Sequence, residues 1–339
     1  MTRGFAAILA VATLASATCA ESESAPELDT QLRVDQLQAR GTHNSYHWWD
    51  EEPLLPEWRY RHAPLDVQLG EQGIRQLELD VHLMRESDTL EVFHIPGLDA
   101  ATNCQRFTDC LETVRAWSAA HPRHAPICIY VEPKDDVPRE LGNESNELLL
   151  TGHMDRIDQD IRAVFPDEQL ITPDALQGDY ASIRERLDAE GWPTLAEARG
   201  TVFFVLLDHG ELFDEYTANG TSLAGRAMFA SGSPDDPWAA VAQLDDPVGD
   251  AEAIAAAVAG RLLVRTRADT EVVGDPERAQ AALASGAHYI STDVPTTDDA
   301  EGPPFVLPVA GNVRCNPVSG PPLCLDAEVD DIEGPLGGE

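Results

Sequence analysis

Four short runs of the sequence end in side chains that could bind a metal ion and transfer protons. The first run ends in a histidine beside an asparagine, and the second holds two carboxylates separated by one residue. The third run ends in a histidine and the fourth in a glutamate. Two imidazoles, three carboxylates and one amide oxygen are the groups of a hard-cation site with an acid–base pair beside it. These groups belong to His43, Asn44, Glu78, Asp80, His94 and Glu132.

The oxygen groups favour a particular class of metal ion. Glu78 and Asp80 are two residues apart, so on a strand they point to the same face. Two carboxylates on a buried face repel each other and lose their hydration unless a cation lies between them. The set Asn44, Glu78, Asp80 and Glu132 contains no cysteine, which favours Ca²⁺ or Mg²⁺ over zinc. We expect Ca²⁺, because it tolerates an irregular protein cage and suits a protein outside the cell.

Each of these residues alone also has a purely structural explanation. An asparagine or histidine after a strand often caps a turn, and a Glu-x-Asp pair usually marks the solvent face of a strand. Four such runs in order on predicted strands are much harder to explain in this way. We therefore expect the fold to bring the four runs into one site.

The elements that must position these residues alternate between strands and helices. Such alternation indicates a parallel sheet, and eight strand–helix units fit a closed (β/α)8 barrel in a single domain. Catalytic groups of such a barrel come from the C-terminal ends of its strands, where the four runs are expected to lie. Helices are predicted over residues 65–70, 104–120, 148–165, 182–191, 250–261 and 276–285. Strands are predicted before His43 and over residues 74–83, 90–94, 127–131, 202–207, 226–230, 262–267 and 289–293.

The first 20 residues have the pattern of a signal peptide. Arg3 precedes an apolar stretch over residues 5–15, and Thr18-Cys19-Ala20 resembles a small-residue cleavage site. The apolar stretch is too short to span a bilayer. We therefore expect an exported protein, secreted or periplasmic. Cys19 is then either removed with the signal or kept as the site of a lipid anchor.

The remaining chain divides into three parts. An acidic leader covers residues 21–31, the barrel covers 32–295, and a Pro/Gly/Asp-rich tail over 296–339 is predicted to be irregular. Export permits disulfides, and two pairs of cysteines are close enough in sequence for local bridges. The pairs are Cys104 with Cys110 and Cys315 with Cys324, whereas Cys128 stands in an apolar run and is expected to be a buried free thiol.

The charge of the chain excludes some classes of partner. The formal net charge is −37 at pH 7, which argues against binding to nucleic acid and against electrostatic capture by an anionic membrane. No segment after the signal is apolar over a length that could cross a bilayer, and we expect a monomer. The sole lysine of the chain is Lys134, which stands two residues after Glu132.

The four runs together resemble a known catalytic region. Gly41-Thr42-His43-Asn44-Ser45, Gln76-Leu77-Glu78-Leu79-Asp80-Val81, Phe93-His94 and Val131-Glu132-Pro133-Lys134 resemble the X-region of phosphatidylinositol-specific phospholipases C, above all its calcium-dependent bacterial branch. The resemblance covers residues 36–135 in motif order and spacing. It extends more weakly to Val264-Arg265-Thr266-Arg267-Ala268-Asp269 and Ser285-Gly286-Ala287.

The resemblance implies a distorted (β/α)8 barrel that cleaves an inositol phospholipid at a membrane surface, to which it binds peripherally. It implies that Asn44, Glu78, Asp80 and Glu132 bind Ca²⁺ and that His43 and His94 are catalytic. The inositol 2-hydroxyl would attack the neighbouring phosphate and release diacylglycerol and a cyclic inositol phosphate. His94 would protonate the departing oxygen, and either His43 or a ligating carboxylate would take the hydroxyl proton. Lys134, Arg265 and Arg267 are implied contacts for the substrate phosphate or inositol.

Several alternatives stay open at this point. Another phosphodiesterase on the same barrel, of the glycerophosphodiesterase or sphingomyelinase D type, would also use two histidines and a divalent ion. A non-catalytic, exported Ca²⁺-binding surface protein would show Ca²⁺-dependent stability without turnover. Arg265 and Arg267 are as well explained by salt bridges to barrel carboxylates such as Asp269. His47, at the end of the first run, receives no role.

Overall fold

The computed structural model describes residues 1, 27–49, 53–135, 146–270, 272, 275–296, 304–308, 312–322, 324 and 329. The predicted signal peptide beyond its first residue, with Cys19, lies outside these residues, as do parts of the predicted leader and tail. No helix in the described ranges is both long and apolar enough to cross a membrane.

Strands and helices alternate along most of the described chain. The helices are α1 (Leu65–Gly70), α2 (Phe107–Ala120), α3 (Asp155–Val164), α4 (Pro173–Gln177), α5 (Ile183–Glu190), α6 (Leu195–Ala198), α7 (Glu211–Tyr216), α8 (Ala251–Ala259) and α9 (Pro276–Ala284). The strands are β1 (Leu37–Thr42), β2 (Gln76–Met84), β3 (Leu90–Val92), β4 (Ile127–Pro133), β5 (Glu147–Leu148), β6 (Val202–Leu206), β7 (Met228–Ala230), β8 (Val241–Gln243), β9 (Leu263–Arg267), β10 (Tyr289–Thr292) and β11 (Val313–Cys315).

Eight of the strands in the described part of the chain form a nearly closed parallel barrel. Their order is β7-β6-β4-β2-β1-β10-β9-β8, and each neighbouring pair is parallel. The two ends of this order meet through a single parallel bridge between Ser231 and Val241. The fold is therefore a distorted TIM barrel in a single domain, which confirms the predicted fold class.

The alternation of side chains along β2 explains how the barrel holds polar groups inside. Leu77 and Leu79 belong to the cluster that includes Leu111 and Val114 of α2, so they pack under the helices. The intervening Glu78 and Asp80 point to the opposite face, which is the barrel interior. Both carboxylates are buried. The apolar strand-to-helix packing thus fixes the direction of the two acids.

The strand predicted over 90–94 is not a barrel strand. β2 is nine residues long, and its far end extends past the barrel and pairs antiparallel with β3. His94 therefore follows a hairpin partner of β2 rather than a consecutive parallel strand. The barrel strand missing from the prediction is β8.

The tail contains one regular element where an irregular segment was expected. β11 pairs antiparallel with the start of β1, with Leu37 opposite Cys315. Disulfides join Cys104 to Cys110 and Cys315 to Cys324, and Cys128 in β4 is a buried free cysteine.

Candidate active site

The loop after β1 is tied to β2 by the side chain of Ser45. Its Oγ accepts a hydrogen bond from the backbone N–H of Glu78 at 2.8 Å, and its own N–H donates to the Glu78 carbonyl at 2.9 Å. Between the strand and this anchor, Asn44 has a φ of 46°, a left-handed conformation that asparagine tolerates better than most residues. The turn brings the ring of His43 to 3.6 Å from the carboxylate of Glu78.

Three carboxylates lie together on β2 and β4. Glu78, Asp80 and Glu132 each present an oxygen within 4.8 Å of the others, and Asp80 stands opposite Glu132 in the parallel register. Burial, followed by repulsion from the Glu132 carboxylate, raises the pKa of Asp80 well above its ordinary value, although Lys134 opposes the shift. The cluster is therefore a site where negative charge is concentrated and a cation is favoured.

Two buried oxygens at this cluster fit a hard metal ion. Asp80 Oδ1 and Asn44 Oδ1 have no hydrogen-bond partner among the described residues. Asn44 Nδ2 donates to the hydroxyl of Tyr60 at 3.0 Å, which fixes the amide while leaving its oxygen unused. Buried polar oxygens without partners are costly. Together with the carboxylate cluster, they form an oxygen-only set that matches Ca²⁺ or Mg²⁺.

The three candidate substrate cations are all engaged with carboxylates of the site. Lys134 Nζ lies 3.0 Å from Oδ2 of Asp80 and also contacts Glu132. Burial alone would lower the pKa of Lys134, but the charges of these two carboxylates raise it above its ordinary value. The other two cations form ion pairs inside the barrel: Arg265 with Glu78 from β2 and with Asp245, and Arg267 with Asp293 and Asp269.

His43 is paired with an aspartate from the last barrel strand. Its Nδ1 lies 2.6 Å from Oδ1 of Asp293, and its Nε2 lies 3.6 Å from Oε1 of Glu78. Burial would raise the pKa of Asp293, but the charges of His43 and Arg267 and the hydrogen bond from His43 lower it. The ionised carboxylate accepts the Nδ1 proton of His43 and so leaves Nε2 as the nitrogen able to accept another proton.

His94 is paired with a different aspartate, which it shares with His47. Nδ1 of His94 lies 2.7 Å from Oδ2 of Asp99, and Nε2 of His47 lies 2.9 Å from the same oxygen. Burial would raise the pKa of Asp99, but the two histidine hydrogen bonds lower it to about 2. Tyr60 connects the two histidine sites, because its ring stacks on His47 at 4.3 Å and lies 6.3 Å from the ring of His43.

A cavity of about 290 Å³ lies at this end of the barrel. It brings together five of the sequence-predicted residues, whereas Asn44 and Asp80 lie buried beside it and His94 lies on the loop after β3. The cavity is lined by His43, Glu78, Glu132, Leu207, Asp208, His209, Gln243, Asp245, Arg265 and Arg267.

Sequence reasoning missed four residues that the geometry makes important. Asp293 ends a predicted strand, so the strand-end rule that selected His43 would also have selected it. Asp99 and His47 had no such signal, since their contact joins two loops. Asp245 follows β8, a strand that the pattern did not reveal.

Residues 82–317 match the family model described as phosphoinositide phospholipase C, Ca²⁺-dependent. The chain belongs to this family. The matched range includes His94, Glu132 and both barrel arginines, whereas His43, Asn44 and the carboxylates of Glu78 and Asp80 precede it. No curated protein matches the sequence.

Solved structures of phospholipases C similar to this family member share its fold. A calcium-dependent phosphoinositol-specific phospholipase C from the Gram-negative bacterium Pseudomonas sp is 20% identical, with a TM-score of 0.58 over 86% of this chain and 97% of that chain. A Ca²⁺-dependent enzyme of the same kind from Streptomyces antibioticus is 21% identical, with a TM-score of 0.55 over 77% of this chain and 95% of that chain. At these identities the similarity establishes the barrel fold.

Proposed function

We propose that this protein is an exported, Ca²⁺-dependent phosphatidylinositol-specific phospholipase C. The observation that carries the proposal is the cluster of Glu78, Asp80 and Glu132 beside the His43–Asp293 pair, with a second histidine–aspartate pair, His94–Asp99, on the loop after β3. Family membership supports the reaction class. A Pseudomonas relative solved as a myoinositol complex supports a headgroup of this kind. Two disulfides support export, because such bridges persist in oxidising compartments.

Asn44, Glu78, Asp80 and Glu132 are the proposed ligands of Ca²⁺. Their oxygens satisfy the preference of this ion, and the buried, unpartnered Oδ1 atoms of Asn44 and Asp80 support the assignment. Bound Ca²⁺ would supply charge neutralisation at the phosphate and lower the pKa of a bound hydroxyl. Lys134 contacts two of the same carboxylates, so it limits their mutual repulsion.

His43 is the proposed general base. The Asp293 carboxylate holds the Nδ1 proton, which leaves the lone pair of Nε2 at the edge of the cavity. This nitrogen takes the proton of the inositol 2-hydroxyl while the hydroxyl oxygen forms a bond to phosphorus. An aspartate that fixes the ring in one tautomer and stabilises the resulting imidazolium is the arrangement that activates hydroxyl nucleophiles in other enzymes.

His94 is the proposed general acid. Its Nδ1 is engaged by Asp99, so Nε2 carries the proton that passes to the diacylglycerol oxygen as the phosphorus–oxygen bond breaks. The side chain is 20% exposed, which leaves it accessible to a bound lipid. The products are diacylglycerol and a cyclic inositol phosphate.

The cations divide into two proposed roles. Lys134 and Arg267 keep 13% and 15% of their side chains exposed, and we assign to them contact with the substrate phosphate or inositol. Arg265 is 1% exposed between Glu78 and Asp245, so its contribution is to orient Glu78 beneath the substrate.

A substrate panel tests this proposal. Purified protein with Ca²⁺ is given vesicles that contain phosphatidylinositol, phosphatidylcholine or sphingomyelin, and separately a soluble glycerophosphodiester. We expect release of diacylglycerol from phosphatidylinositol. Release of choline or glycerophosphate with phosphatidylinositol untouched would contradict the proposal and favour another phosphodiesterase on this barrel. Ca²⁺-dependent stability with no turnover of any substrate would favour a non-catalytic Ca²⁺-binding protein.

A further inference from the structure

We propose that His47 is a positioning residue for the protonation of the leaving group: it fixes the carboxylate of Asp99, which in turn holds the ring of His94. The inference depends on the proposed function, because a general acid donates its proton only if a phosphodiester is cleaved. Neither His47 nor Asp99 was assigned a role from the sequence. Their contact is created by the fold, where the loop after β1 meets the loop after β3.

Both ring nitrogens of His47 face acceptors. Nδ1 lies 2.8 Å from the backbone carbonyl oxygen of Tyr60, and a carbonyl oxygen only accepts. Nε2 lies 2.9 Å and 3.1 Å from the two oxygens of Asp99. The low pKa of Asp99 keeps this carboxylate ionised, so it also only accepts. Nε2 of His47 therefore donates to Asp99, and the ring is held between two acceptors.

The position of His47 is fixed independently of His94. The side chain is fully buried, and its ring stacks on that of Tyr60 with a centroid distance of 4.3 Å and an interplanar angle of 21°. Its backbone N–H donates to the carbonyl of Asn44 at 2.7 Å, and its carbonyl accepts from the N–H of His62 at 2.9 Å. A ring held on every side is a rigid support for the carboxylate that it contacts.

Asp99 is held from its backbone as well as from its side chain. Its N–H donates to the carbonyl of Ile95 at 3.0 Å, and its carbonyl accepts from the N–H of Ile95 at 2.9 Å. The turn thus brings the carboxylate back under His94, five residues earlier in the chain. His94 itself is less enclosed, and its ring centroid lies 5.7 Å from that of Trp58 in a perpendicular arrangement. The hydrogen bond to Asp99 is therefore the polar contact that orients the acid.

Two substrates with different leaving groups test this role. Phosphatidylinositol needs a proton on its alkoxide leaving group, whereas an inositol phosphodiester of 4-nitrophenol does not. In His47→Gln and Asp99→Asn we expect kcat for phosphatidylinositol to fall by about 100-fold, the lower range for loss of acid catalysis. We expect kcat for the nitrophenyl substrate to change by less than about threefold, with KM for both substrates little changed.

The matched control is His288→Gln. His288 is similarly buried and both of its ring nitrogens are hydrogen-bonded, here to backbone groups, but it does not line the cavity. In this variant, any change in kcat should be the same for the two substrates. Equal losses on both substrates in His47→Gln and Asp99→Asn, or no loss, would overturn the proposal.

A spectroscopic measurement covers the case in which these variants fold poorly. In the wild-type protein, ¹⁵N NMR of the histidine rings should show a proton on Nε2 of His47 and a proton on Nδ1 of His94, the two ring nitrogens that face Asp99. An unprotonated nitrogen at either position would overturn the proposal without reference to activity. If the proposed function itself is wrong, the wild-type protein will cleave neither substrate.

Discussion

Nη2 of Arg265 lies 2.5 Å from Oε2 of Glu78 inside the barrel, where both side chains are 1% exposed. The same guanidinium binds Asp245 at 2.9 Å through Nη1 and lies over the ring of Tyr130. Burial alone would lower the pKa of Arg265, but the charges of Asp245 and Glu78 raise it. The arginine therefore balances the charge of a proposed metal ligand.

Arg265→Gln should destabilise the fold, because it leaves the buried charge of Glu78 without its partner. We expect the free energy of unfolding to fall by about 3–5 kcal/mol, the usual cost of breaking a buried ion pair. Urea unfolding measures the change. The control is Arg162→Gln, which removes an exposed pair with Asp167 and should cost under about 1 kcal/mol. An equal loss of unfolding free energy in the two variants would show that the buried pair stabilises the fold no more than the exposed pair does.

Asp80→Asn should weaken metal binding without destabilising the metal-free fold. The change removes one charge from a cluster in which burial and Glu132 both oppose ionisation. We expect Ca²⁺ affinity, measured by calorimetry, to fall at least about tenfold, because ligand charge sets affinity for this ion. The melting temperature without metal should stay the same or rise. Asp88→Asn, at an exposed position, is the control, and unchanged Ca²⁺ affinity in Asp80→Asn would remove Asp80 from the ligand set.

His94→Ala should lose turnover while keeping Ca²⁺ binding. The residue is assigned to proton transfer and stands outside the cluster of Glu78, Asp80 and Glu132. We expect kcat for phosphatidylinositol to fall by about 10²–10⁴-fold. Ca²⁺ affinity and melting temperature should match the wild-type values. A variant that keeps full turnover would show that another group protonates the leaving oxygen.

The stability of the protein should fall as the pH is lowered from about 6.5 to about 4, partly because of His288. Burial lowers the pKa of this histidine to about 4, with a smaller opposing effect from its hydrogen bond to the Asp35 carbonyl. Its Nδ1 accepts from the N–H of Val264, a bond that protonation would break. Below about pH 6.5 the unfolded chain binds a proton on this histidine that the folded protein does not bind. The free energy of unfolding therefore falls by up to about 1.4 kcal/mol per pH unit.

His288→Gln tests this dependence. Glutamine can replace both hydrogen bonds but does not titrate, so the slope of unfolding free energy against pH should be smaller than in the wild type. Urea unfolding at several pH values between about 7 and about 4.5 measures the slope. The exposed His153→Gln is the control. Identical slopes in the wild type and His288→Gln would contradict the assignment.

The convergence of the first two runs with the fourth was predictable, because it depends on local rules. Alternation along β2 directs Glu78 and Asp80 inward, and parallel strands gather Glu132 at the same edge. The strand-end argument that selected His94 was wrong, since His94 follows a hairpin strand rather than a barrel strand.

The remaining parts of the site depend on contacts between distant segments. Nothing in the local pattern of His47 indicates that Asp99 will lie 2.9 Å from its ring. The choice of Glu78 rather than Asp269 as the partner of Arg265 likewise depends on which side chains meet across the barrel. The sequence analysis named only barrel carboxylates such as Asp269 as possible partners, and the assembled barrel pairs Arg265 with Glu78 and Asp245.

The most direct test of the account is the rate of diacylglycerol release from phosphatidylinositol vesicles, measured with Ca²⁺ and again after EGTA. We expect turnover in Ca²⁺, loss of that turnover with EGTA, and its recovery when Ca²⁺ is restored. Full turnover in EGTA would contradict the assignment of Asn44, Glu78, Asp80 and Glu132 as the site of an essential metal ion. No diacylglycerol release in Ca²⁺ would contradict the proposed function itself.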